Sequence, residues 1–221
     1  MINPNIKAYT SVFEGGSSEI VVKKSRFIAI IIPIKSEEAA EEFIEQIKKK
    51  NWNASHNCYA YIIGTGNPIM RYSDDGEPSQ TAGKPMLDIL TTHGLTDVVA
   101  VVTRYFGGTL LGTGGLVKAY QSSVIEGLKC CHIITKELGI LFHLTTDYTY
   151  IGKLQYYFNQ EALPVLSTQY TDSILITLVI PYDKRDFFKK GVFELTHGSV
   201  GMAEKEQVYF TIIDNEVRLF N

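Results

Sequence analysis

Five glycines, an arginine and a lysine crowd the segment VVTRYFGGTLLGTGGLVKAY, residues 101–120. Gly107, Gly108, Gly112, Gly114 and Gly115 separate a β-branched run from a stretch of helical periodicity. A strand that feeds glycines into a helix start suits an anion. Glycines let backbone amides approach a phosphate, and the free amides of a first helical turn add about half a positive charge. Arg104 and Lys118 are the candidate countercharges. The pattern is neither a Rossmann nor a Walker fingerprint, because GTGGLV has Val117 where the third glycine of G-x-G-x-x-G falls. The same glycines also suit a sharp turn and close helix packing, so both readings stay open.

A second dense stretch, RYSDDGEPSQTAGKPML at 71–87, brings Arg71, Asp74, Asp75, Glu77 and Lys84 into one ordered polar loop. Its carboxylates are oxygen ligands, but their spacing fails the calcium-loop rule, and Pro85 replaces the hydroxyl residue that a P-loop needs after Gly83-Lys84. His56 lies two residues from Cys58 on an alternating segment, which puts them on one face, yet no hydrolase signature accompanies a thiol–imidazole pair. The remaining histidines, His93, His132, His143 and His197, are scattered. No metal and no cofactor is expected.

The elements that must position these groups follow from periodicity. EIVVKKSRFIAIIIPI, 19–34, reads as a hairpin. SEEAAEEFIEQIKKK, 36–50, reads as a helix with Ser36 at its cap, acids in the first turn and lysines in the last. HNCYAYIIG, 56–64, is a strand; 81–92 is a helix; DVVAVVTRYF, 97–106, is a strand buried on both sides; and Leu116, Val117, Tyr120, Val124 and Leu128 mark another helix. The first half thus reads ββαβαβα. From Ile133 the order becomes βαββαβ, with strands at 133–145, 164–170, 173–181 and about 206–213 and helices at 148–161 and 183–196. The fold class is α/β (α+β), with domains at 1–132 and 133–221, the second ferredoxin-like. No linker marks the boundary, and the strand beginning the second domain is free to run on from the first.

Composition narrows the function classes. The chain has 221 residues, 45% of them apolar, and a net charge of −3. Residues 1–132 carry 13 Lys/Arg against 13 Asp/Glu, and residues 133–221 carry 8 against 11, so neither half is a basic nucleic-acid domain. Contact with RNA would have to come from a local patch. The longest apolar run, FIAIIIPI, has eight residues, far short of the roughly 18 a membrane helix needs. No secretory pattern opens the chain, and three cysteines suggest no disulfide scaffold, so a cytoplasmic protein is expected.

HNCYAYIIG, RYSDDGEPSQTAGKPML and DVVAVVTRYFGGTLLGTGGLVKAY together, in this order, resemble the IMPACT family, and the two-domain length resembles its bacterial YigZ branch. One departure is Gln80, where the family pattern S-G-T-A-G-K-P has glycine. The resemblance implies an N-terminal domain like the second domain of a small-subunit ribosomal protein and a C-terminal domain like the last domain of elongation factor G. It also implies a link to translation: eukaryotic members bind a ribosome-associated activator of a translation-control kinase. The family supplies no catalytic mechanism to transfer.

The expected function is therefore a non-enzymatic protein binding RNA or a ribosomal component through Arg71, Lys84, Arg104, the five glycines and Lys118, with Tyr72, Tyr105 and Phe106 as candidate stacking groups. The alternative is a hydrolase of a phosphorylated or peptide-like small molecule, with His56, Asp74, Asp75 and Glu77 around the glycine turn. A protein-interaction adaptor is a third possibility. No membrane partner is expected.

Overall fold

Residues 98–102, Val-Val-Ala-Val-Val, send successive side chains to opposite faces of a strand, and all five are buried. Apolar layers must therefore cover both faces. The computed structural model, which describes residues 6–220, supplies them with helices. The N-terminal unit contains β1 (Ala8–Glu14), β2 (Gly16–Val22), β3 (Ser25–Pro33), α1 (Glu37–Lys50), β4 (His56–Ile63), β5 (Ile69–Ser73), α2 (Gly83–Thr92), β6 (Val98–Tyr105) and α3 (Thr113–Lys129). Its sheet has the order β2-β3-β6-β4-β5, and every pairing is antiparallel.

Val98, Ala100 and Val102 pack with Met86 and Leu90 of α2 and with Leu116, Tyr120 and Val124 of α3. Val99 and Val101 pack with Ala40, Ile44 and Ile47 of α1 on the other face. The continuous apolar run of β6 thus reflects helices on both faces of an antiparallel sheet, a burial more usual for parallel sheets. The helix at 36–50 starts as expected: Ser36 Oγ accepts the Ala39 amide at 3.2 Å. Two strands are additional to the predicted order. β5 is a five-residue edge strand whose first four residues are exposed, so it carries no apolar alternation, and β1 precedes the predicted hairpin.

The second unit contains β7 (His132–Thr146), α4 (Ile151–Gln160), β8 (Val165–Tyr170), β9 (Ile174–Pro181), α5 (Arg185–Thr196), β10 (Gly201–Ile213) and β11 (Glu216–Phe220). Strand order is β11-β10-β7-β9-β8, so the four strands of the ferredoxin-like βαββαβ unit form one antiparallel sheet, extended by a terminal hairpin. Phe142 and Leu144 of β7, Leu154 and Phe158 of α4, and Phe188 and Val192 of α5 share one core, which puts both helices on the same face. The units divide between Thr135 and Lys136, within the unbroken strand β7, rather than at 132/133. Residues 6–8, which include the first residue of β1, belong to the second unit instead of the first.

Candidate functional site

Cross-strand register builds the site's floor. Phe27 of β3 faces Arg104 of β6, which faces His56 of β4. The three form a row on the sheet face that α2 and α3 cover, because Phe27, Val102 and Cys58 belong to that core. The Arg104 guanidinium lies 5.4 Å from the Phe27 ring centroid and 5.6 Å from that of Phe106, within cation–π range of both.

Above this row, the loop after β5 delivers Glu77. Its Oε1 accepts from Arg104 Nη1 at 2.6 Å and from the Tyr120 hydroxyl at 2.8 Å. The Arg104 and Glu77 side chains are only 6% and 3% exposed, so this is a buried ion pair. His56 Nδ1 is 2.9 Å from the Asp75 carbonyl oxygen, and Nε2 is 3.8 Å from Glu77 Oε2. The Cys58 sulfur is 3.0 Å from the Asp74 carbonyl oxygen and 3.3 Å from the Tyr120 hydroxyl. Burial pushes the Cys58 thiol well above its ordinary range, and the Glu77, Asp75 and Asp74 carboxylates push it further. Burial likewise raises the Tyr120 phenol. A buried thiol raised in this way stays protonated and is a poor nucleophile.

A cavity of ≈ 510 Å³ opens over His56, Glu77 and Arg104. Pro78, Phe106, Leu110, Leu111 and Leu116 give it apolar walls, and Gly112 and Thr113 bring the start of α3 to its edge. The first intrahelical bond of α3 runs from the Leu116 amide to the Gly112 carbonyl, so the amides of Thr113, Gly114 and Gly115 precede the helical ladder. The cap residue Gly112 has φ +73° and no side chain to satisfy them.

The loop that carries Glu77 is held by its neighbours. Asp74 accepts the amides of Ala82 and Gly83 on Oδ1 at 3.0 and 2.8 Å and that of Gln80 on Oδ2 at 2.7 Å. It thereby caps α2. Asp75 accepts the Asn57 amide at 2.7 Å and lies 3.2 Å from Lys48 Nζ. Asp74 and Asp75, two of the three carboxylates predicted as candidate bases, therefore have structural engagements. Gln80 has φ +61°, which is the conformation that explains a glycine in the family pattern.

The remaining predicted residues separate. Arg71 is cross-strand from Tyr61, on the α1 side of the sheet, with Nε 3.8 Å from Glu37, so it does not join the cavity. Lys84 bonds to Asp88 one turn along α2 and does not line the cavity. Arg104 is a buried member of an ion pair, not a free countercharge. Lys118 is exposed on α3. The Gly107 amide donates to Ser25 Oγ at 3.1 Å, and a Cβ there would lie 2.0 Å from the Lys24 backbone, so this glycine serves close packing. Gly108 and Gly114 lie in the exposed stretch, and Gly115 is half-buried. Among the aromatics, Phe106 is 49% and Tyr72 40% exposed. Tyr105 instead donates to Asn51 and lies under Arg26. Tyr120 is the site residue that sequence reasoning missed, because its helical spacing marks it only as part of a buried face.

Comparison with known proteins extends this picture. The Impact N-terminal domain model matches residues 23–128, and a domain of unknown function, DUF1949, matches residues 144–199. The IMPACT family member YvyE of Bacillus subtilis (strain 168) is 39% identical over 213 residues, covering 96% of this chain and 98% of that protein. This chain belongs to the IMPACT family. Family member YigZ of Escherichia coli (strain K12) is 34% identical over 188 residues, covering 84% of this chain and 92% of its own length. A crystal structure of a hypothetical protein, 31% identical, superposes with a TM-score of 0.59 over 91% of this IMPACT chain and 98% of the other. The N-terminal match spans the whole cavity, from Ser55 to Leu116.

Proposed function

We propose that this IMPACT family member is a non-enzymatic cytoplasmic protein that binds RNA, alone or as part of a ribosomal or translation component, through residues 106–114 and the start of α3. The observation that carries this reading is the uncapped N-terminus of α3 at the edge of a cavity. Three successive amides there precede the helical ladder, and the adjoining loop is exposed. Phe106 and Leu110, 49% and 81% exposed, offer a flat apolar surface to a base beside those amides. Lys24, whose backbone packs against Gly107, and Lys118 on α3 contribute exposed positive charge. Backbone amides and a few cations hold phosphate without reading sequence, so affinity is modest and salt-sensitive. The hydrolase reading loses support because Asp74 and Asp75 are engaged by amides and by Lys48.

The decisive variant is Gly114→Asp. A Cβ at Gly114 meets nothing within 4 Å, and a carboxylate in the first helical turn favours the helix while competing with an incoming anion. Binding of a short single-stranded RNA is measured by fluorescence anisotropy at low and at physiological salt. The wild type is expected to bind and to weaken steeply with salt. Gly114→Asp is expected to lose at least about tenfold in affinity, roughly 1.4 kcal/mol, with an unchanged or higher melting temperature. Equal binding by the two proteins, or none by the wild type, refutes the proposal.

A further inference from the structure

The cavity wall brings a carboxylate oxygen and an imidazole nitrogen together without a direct hydrogen bond between them. The Asp75 carbonyl oxygen can only accept, so the 2.9 Å contact places a proton on His56 Nδ1 and leaves Nε2 turned toward Glu77. The described bonds from Arg104 and Tyr120 both fall on Glu77 Oε1, and Oε2 faces His56 Nε2 across 3.8 Å. Glu77 is thus a carboxylate with a 3% exposed side chain and one oxygen lacking a described hydrogen bond, in the wall of a cavity. Arg104, 6% exposed on the same wall, keeps an Nε with no partner among the described residues. A buried carboxylate oxygen in this state calls for a donor that completes it.

The ligand's chemistry follows from what the cavity offers. Its volume of ≈ 510 Å³ suits a small molecule or one terminal unit of a polymer rather than a continuous strand. An anion is favoured at the Thr113, Gly114 and Gly115 amides, and Glu77 does not repel it because Arg104 neutralises that carboxylate. A hydroxyl fits between Glu77 Oε2 and His56 Nε2, donating its one proton to the carboxylate. A flat apolar body fits the walls formed by Phe106, Leu110 and Leu116. We propose that the cavity takes a ribonucleotide with a terminal 5′-phosphate, free or at the 5′ end of an RNA. The phosphate sits at the start of α3, the 2′-hydroxyl donates to Glu77 Oε2 beside His56 Nε2, and the base lies against the apolar wall. This deepens the RNA-binding reading and rests on it for the strand-end form of the ligand.

Calorimetry with the full chain tests the assignment using adenosine 5′-monophosphate, adenosine, the 2′-deoxy monophosphate, and one short RNA with and without its 5′-phosphate. The phosphorylated member of each pair is expected to bind at least about tenfold tighter, and the deoxy monophosphate about tenfold weaker than its ribose counterpart. His56→Leu, with folding checked by its melting curve, should bring the ribose-to-deoxyribose ratio towards one while keeping the preference for phosphate. Gly114→Asp should remove the phosphate preference. Binding of the monophosphate without the RNA supports a free nucleotide as ligand and counts against the RNA-binding reading; binding of both supports a strand end. RNA that binds equally with and without its 5′-phosphate, or a wild type indifferent to the 2′-hydroxyl, overturns the inference and leaves general RNA binding intact. Absence of binding by every probe overturns both.

Discussion

Arg104 and Glu77 share a nearly solvent-free site, so removing one leaves the other as an uncompensated buried charge. Arg104→Ala is expected to cost about 3–5 kcal/mol in chemical denaturation, far more than loss of an exposed phosphate contact would. A cost below about 1 kcal/mol would mean that the pair is solvated. Gln80 presents the opposite case. It keeps φ +61° while its amide donates to Asp74, so a non-glycine residue bears a left-handed conformation inside the loop that positions Glu77. Gln80→Gly should stabilise the protein by about 0.5–1 kcal/mol, since relief of strain outweighs the added freedom of the unfolded chain. A lower denaturation midpoint would contradict this. The glycine of the family pattern marks this position from sequence alone, whereas the pairing of Arg104 with Glu77 does not follow from sequence, because it depends on a loop folding back over β6.

At the scale of elements, the legible parts are those with local causes. Ser36, the acidic first turn and the basic last turn define α1 without tertiary information. β5 has no such signal: it exists because β4 offers an edge, and its exposed side chains follow no apolar rhythm. The glycine run before α3 is intermediate. Gly107 answers to the approach of the Lys24 backbone, while Gly112 leaves a helix start uncapped, and composition cannot separate the two roles. The contact between α1 and β4 yields a pH dependence. Tyr61 donates to Glu37 Oε2 at 3.2 Å, and burial, reinforced by Glu37, pushes its phenol up from about 10 to about 12. The folded protein therefore retains this proton where the unfolded chain has lost it. The stabilisation is complete below about pH 10 and is lost as pH rises toward about 12. Across that window, the denaturation midpoint of wild type should fall more than that of Tyr61→Phe; parallel curves would show that the phenol does not couple to folding.

For the whole molecule, element order in the second unit is readable because each strand and helix of the βαββαβ pattern carries its own period. The terminal hairpin strand β11, five residues including Glu216 and Arg218, is not readable that way. Nor is the association of residues 6–8 with a unit that otherwise begins at Lys136, since the interacting residues are more than a hundred positions apart in sequence. The Leu138 amide donates to the Lys7 carbonyl at 2.7 Å, the Tyr209 hydroxyl to the Ile6 carbonyl at 2.9 Å, and Lys7 Nζ pairs with Asp183 at 2.5 Å. The ion pair is more than 60% exposed on both sides and adds little. The Lys7 carbonyl matters more, because Leu138 is buried and its amide would lose this acceptor. Truncation through Lys7 is therefore expected to weaken the second unit by about 1–3 kcal/mol and leave the N-terminal sheet unaffected. Hydrogen exchange measures the two separately: the Leu138 amide should lose protection while amides 98–105 of β6 keep theirs. Loss of protection in β6 with Leu138 unchanged would mean that the opening segment supports the other unit.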